Sequence, residues 1–200
     1  MNENMETKDI LTTKWLRGLM YTTIASLVNG VLNVFPFVPT ALTTWISRGI
    51  LLAVFICLFK LGTVNARYQK AAICRGIMLA CTLIIAFLFA SPLLSLVSSI
   101  ASIVAVYQEY TAHSELLEQM DPKLSGKWHS LFLWGIAAGL LVSIGSVIAT
   151  MILVMQELDA VGNTAVVIGL LSIPQFIIDV IYLLYLKRMV AIFDRNATLQ

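Results

Sequence analysis

Apolar stretches long enough to cross a lipid bilayer follow one another along nearly the whole chain, parted by short polar turns. A helix rises about 1.5 Å per residue, so a hydrocarbon core of about 30 Å takes about 20 residues to span. Residues 16–35, 41–61, 71–90, 129–155 and 164–186 meet that length, and a shorter stretch at 92–107 does so if its helix runs on past Gln108. Of the 200 residues, 59% are hydrophobic and 12% charged. A water-soluble domain of this size cannot hide so much apolar surface, so its solvent must be lipid. The expected fold class is an all-α integral membrane protein with six transmembrane helices. A membrane domain over 15–190 lies between a short polar tail at 1–14 and a second tail at 191–200.

Only Ser91-Pro92 separates the third and fourth stretches. A single helix from Ala71 to Tyr107 would measure about 55 Å, far more than the bilayer core. Ser91 is a good helix N-cap and Pro92 suits the first helical position, so a tight hairpin is expected there. Pro36 and Pro39 bracket the first turn, and Thr40 can cap the second span and Asn163 the sixth.

Charge gives the orientation. With six spans, 12 of the 13 Lys and Arg residues fall on one side, and only Arg48 lies in the other half. Basic residues collect on the cytoplasmic face, so both termini are expected to be cytoplasmic. Merging the third and fourth spans would put Lys187, Arg188 and Arg195 outside, so the charges favour the hairpin independently. The first nine residues carry Glu3, Glu6 and Asp9 and lack the basic start and cleavage site of a signal peptide. A multi-pass cell-membrane protein is expected, most simply in a bacterial cytoplasmic membrane. Cys57, Cys74 and Cys81 sit in or at the ends of apolar segments, where an odd number reads as free thiols.

Polar side chains inside a span are costly unless paired or wetted, so their positions are informative. In the sixth span Ser172, Gln175, Asp179 and Tyr182 share one helix face beside Pro174, which removes a helical hydrogen bond. Two readings of Asp179 stand: an ion pair with Arg75 that locks the bundle, or part of an ion or proton site. The first span carries Thr22, Ser26, Asn29 and Asn33 near one face, which should point inward or at another subunit. Arg48 either snorkels outward or lines an outer vestibule with Asn33. Ordered by depth, Arg48, Asn33, Asn29, Gln175, Asp179 and Arg75 describe either a polar path or a ladder of structural hydrogen bonds. In the fifth span Gly135, Gly139 and Ser143 form a small-residue face on which helices can pack closely.

The stretch from Gln108 to Trp128 is polar. Its acids and histidine, Glu109, His113, Glu115 and Glu118, read as one side of an amphipathic extension of the fourth helix, a cytoplasmic arm suited to contact. Their spacing matches no zinc motif, and no metal or cofactor is expected.

The chain has no H-E-x-x-H, no G-x-S-x-G elbow and no P-loop, so no enzymatic role and no catalytic residue is expected. A net charge of +2 gives no nucleic-acid surface. Two functions remain. One is a membrane protein that acts by contact with a protein partner or a second copy, in an accessory, immunity-type or sensor role. The other is a small oligomeric transporter or channel using the polar stripe of spans one and six.

Overall fold

The computed structural model describes residues 3–33, 35, 37–89, 91–155 and 173–198, and all secondary structure in them is helical. The helices are α1 (Glu3–Leu32), α2 (Thr40–Leu61), α3 (Ala66–Phe87), α4 (Pro92–Leu117), α5 (Pro122–Met155) and α6 (Ile173–Thr198). Four of them are long and apolar enough to cross a membrane: α2, α3, α4 and the Pro122–Gly145 part of α5. Their outward faces carry large exposed apolar side chains, among them Leu52, Ile73, Ile77, Leu96, Ile100, Leu133 and Leu140. Such a surface suits acyl chains and not water, so this is a membrane-embedded protein. Glu157, Asp159, Asn163, Ser172 and the first part of the expected sixth span lie outside the described residues.

Each helix packs chiefly on its neighbours in the chain, and α6 returns to pack on α1, closing a ring. The hairpin at Ser91-Pro92 is present: α3 ends at Phe87, Pro92 opens α4, and the two run antiparallel. Their register is set by cross-contacts from Asn65 to Glu115, Tyr68 to His113 and Arg75 to Glu109. The Asn65 side chain caps α3 by accepting from the Arg67 backbone N–H at 2.8 Å. Asp121 does the same for α5 through Leu124 N–H at 3.0 Å and also accepts from Arg188 of α6 at 2.7 Å. That backbone N–H, and then the Arg188 guanidinium, hold the Asp121 carboxyl below the usual aspartate range.

The helix ends reach past the expected spans. Helix α1 starts at Glu3, inside the stretch read as a tail. Helix α6 continues to Thr198, with Phe193 buried and Asp194 accepting two hydrogen bonds from Arg17 at 2.7 and 2.8 Å. At the α6 end the helix continues because its apolar residues Met189, Val190 and Phe193 are buried against the bundle.

The densest core lies at the end of the ring that carries both chain termini. Leu16 of α1, Leu58 and Leu61 of α2, Tyr68 of α3, Leu117 of α4, Trp128 of α5 and Leu186 and Met189 of α6 are all fully buried there. Gly18 lets α1 come close to α2, since a Cβ at that position would meet Cys57 Sγ at 2.8 Å. All three cysteines are free thiols.

Ring closure is directly testable. In a chain whose native cysteines are replaced, Arg17→Cys and Asp194→Cys should be joined by a short bifunctional thiol reagent in native membranes. Joining only between separate chains, seen as dimers on a denaturing gel, would contradict the α1–α6 contact. Asp121→Ala should lower the thermal midpoint in detergent at neutral pH. The difference from wild type should shrink as pH falls through the depressed Asp121 pKa, because a carboxylate with a lowered folded-state pKa stabilises only above it.

Candidate functional site

A cavity of about 320 Å³, open on part of its surface, lies within the ring. Its wall takes Thr22, Thr23 and Ser26 from α1, Ser47 from α2, Arg75 from α3, Glu109 and Tyr110 from α4, and Gln175, Asp179 and Tyr182 from α6, with apolar residues between them. The cavity therefore holds two carboxylates, one guanidinium, two phenols and several hydroxyls inside a membrane-embedded bundle.

Glu109 anchors the site. Its side chain is 5% exposed. One carboxylate oxygen accepts from Tyr182 OH at 2.5 Å and the other from Arg75 Nη2 at 3.3 Å. Behind it the chain of contacts continues: His113 Nε2 lies 3.4 Å from Tyr182 OH, and His113 Nδ1 lies 2.6 Å from Tyr68 OH. One proton assignment satisfies every atom. Neutral His113 carries its proton on Nε2 and donates to Tyr182, while Tyr68 donates to Nδ1. The imidazole is fully buried, 4.5 Å from the Trp128 ring, and Tyr110 stacks on Tyr182 at 5.3 Å. Glu109 is thus held from behind by a rigid aromatic network.

Arg75 is held more loosely. Its side chain is 19% exposed. Beyond the bond to Glu109, its Nη1 reaches only the Met78 sulfur at 3.9 Å, and its buried Nε has no partner among the described residues. Asp179 accepts from Gln175 Nε2 at 3.2 Å, one helical turn away, and among the described residues no cation pairs with it.

The structure brings together some of the residues expected from the sequence and separates others. Arg75, Gln175 and Asp179 line the cavity, as do Thr22 and Ser26 of the first-span stripe. The expected Arg75–Asp179 pair is replaced by Arg75–Glu109, because α3 packs chiefly against α4 and α2. Asn29 is buried but clamps α1 to α2, donating to Thr43 O at 3.1 Å and Ser47 Oγ at 2.8 Å. Asn33 is exposed at the end of α1, and Arg48 lies over the Trp45 ring at 4.5 Å, so neither joins the site.

The cytoplasmic arm is also corrected. Glu109 and His113 face the interior and not an aqueous surface, since α3 and α6 cover that side of α4. Glu115 remains at the surface, bonded to Asn65 and Arg67, and Glu118 is exposed. On the small-residue face, Gly135 approaches Ile178 of α6, but a Cβ on Gly139 would meet nothing within 4 Å, and Ser143 is exposed. Only one end of that face packs within the described chain.

Glu109, His113, Tyr68 and Tyr110 were not expected in the interior. For Glu109 and His113 the signal was a four-residue period: Ala101, Ala105, Glu109, His113 and Leu117 are all buried on one face of α4. No family model, curated protein or solved structure matches this chain.

Tyr182→Phe should remove one of the charge-assisted hydrogen bonds to buried Glu109 and lower stability in detergent by about 1–3 kcal/mol. Thermal unfolding followed by circular dichroism measures this, and an unchanged midpoint would show that the bond contributes nothing.

Proposed function

We propose that this chain is a six-span carrier of small organic cations, with both termini on the cytoplasmic side of a cell membrane, bacterial in the simplest case. The observation that carries the reading is the polar cavity inside the helix ring, with Asp179 in its wall and, among the described residues, no cation paired with it. An ionised carboxylate in a membrane interior is stable only when something compensates its charge. A bound ammonium ion does so. Its N–H or N–CH groups meet the carboxylate and the hydroxyls of Thr22, Ser26 and Ser47, while Tyr110 and Tyr182 supply aromatic surface. The cavity volume falls at the lower end of small-molecule pockets, which limits the solute to a small one.

The packed end around Leu16, Leu58, Tyr68 and Trp128 favours a carrier over an open pore, because it seals the ring on one side of the cavity. Six spans are supported by the apolar stretches of α1 and α6, and the orientation by the 12 basic residues on one side. A role by contact alone has less support, since two of its four arm residues are buried.

The test is flux. Liposomes holding purified wild type should release trapped tetraethylammonium faster than protein-free liposomes. Asp179→Asn, at equal insertion, should lower that rate at least about tenfold, the equivalent of losing one charge-assisted contact. Equal rates for wild type and Asp179→Asn would remove Asp179 from the path. No flux above the lipid background would remove the carrier reading.

A further inference from the structure

A groove of about 620 Å³ runs between α5 and α6 and shares no wall residue with the polar cavity. Most of its wall is apolar: Leu131, Ala138 and Leu141 from α5, and Pro174, Ile178 and Ile181 from α6. From Leu131 to Leu141 the helix rises about 15 Å, which is half of a hydrocarbon core of about 30 Å. The apolar part of the groove is therefore as long as one leaflet is deep.

One end has a different chemistry. Lys127, a turn before Leu131, stands there with its Nζ 6.0 Å from the centre of the Tyr185 ring of α6, and Ser130 adds a hydroxyl. Lys123 lies a further turn back on the same face of α5 and is also exposed. Among the described residues no carboxylate pairs with either lysine. The nearest acid along α5, Asp121, is taken by Arg188 and by the Leu124 backbone N–H. This is the end of the ring that carries both chain termini, because Leu124 and Trp128 belong to the core there.

We propose that the α5–α6 groove binds one anionic glycerophospholipid, its phosphate on Lys127 and Ser130 and one acyl chain along the apolar wall. The inference does not depend on the cation-carrier reading. The phosphodiester supplies the negative charge that the protein does not place beside Lys127, and a basic pocket between membrane helices at the headgroup level suits such a head. An acyl chain in a groove meets protein on both sides, so it makes more dispersion contacts than a chain lying on a convex helix face. A zwitterionic lipid brings its own cation to the phosphate and gains less from Lys127. An extended peptide fits worse, because its backbone N–H and C=O groups would go unsatisfied in the hydrocarbon layer.

The test is native mass spectrometry of the purified, delipidated protein in mild detergent, mixed with phosphatidylglycerol or with phosphatidylcholine of the same acyl chains. Wild type should hold one phosphatidylglycerol about fivefold more tightly than phosphatidylcholine, the effect of one basic residue on an anionic lipid. Lys127→Gln should remove that preference. Lys70→Gln makes the same charge change on α3 and should keep it. Equal wild-type affinity for the two lipids overturns the proposal. So does an equal loss in Lys70→Gln, which would assign the preference to the charge of the whole surface.

The chain is tested separately from the head. Ala137 is exposed on the groove wall, and Ala137→Trp should fill the groove and weaken both lipids at least about fivefold. Unchanged binding would place the chain elsewhere and overturn the site. Glycerol phosphate, a head without chains, should not displace the bound lipid at about 1 mM, and displacement would reduce the site to an anion contact. Wild type that retains no lipid also overturns the proposal, and a dimer mass in the same spectra would then assign the groove to a second copy.

Discussion

A carboxylate buried in a membrane-embedded bundle has to be satisfied on every side, and the centre of this structure is arranged around that demand. Glu109 is buried, so its partners must come from other helices. Arg75 comes from α3 and Tyr182 from α6. Tyr182 must in turn accept a hydrogen bond, which His113 provides from one turn further along α4, and His113 leans on Tyr68 of α3. Three helices are thereby fixed in depth and rotation by groups that would be costly to separate. In lipid, apolar burial gives little preference for one rotation of a helix over another, so polar contacts of this kind specify the packing.

The same network explains why the ring is tight at one end and hollow in the middle. At the end with the chain termini, large side chains from all six helices interdigitate around Trp128, and ring contacts join Tyr110, Trp128, Tyr182 and His113. Around the cavity α1 and α2 present Thr22, Thr23, Ser26 and Ser47 between apolar residues such as Leu27 and Leu51. Short side chains cannot meet across a six-helix ring. Each helix packs on its two neighbours, and the space between them stays open.

Much of this was legible in the sequence. The hairpin at Ser91-Pro92 followed from length and capping, and the inward stripe of α6 from the spacing of Gln175, Asp179 and Tyr182. What the sequence concealed was partner choice. Arg75 and Asp179 match in depth, but depth says nothing about which helices are adjacent, and the strong α3–α4 contact sends Arg75 to Glu109. The interior role of Glu109 and His113 was hidden for another reason. A polar stretch between two apolar ones reads as aqueous, whereas here the polar residues face in and cover one another. The period Ala101, Ala105, Glu109, His113, Leu117 held the information, because small residues at every fourth position mark a face pressed against another helix.

Asp179 differs from Glu109 in one respect that matters for function. Both are acids within the bundle, yet Glu109 is enclosed by a guanidinium, a phenol and an imidazole, while Asp179 is given a single amide. If both acids served only to hold the bundle together, a comparable set of partners would be expected around each. The difference leaves hydrogen-bonding capacity at Asp179, on the wall of the cavity. Arg75 holds Glu109 by one bond at 3.3 Å, and its Nε has no partner among the described residues.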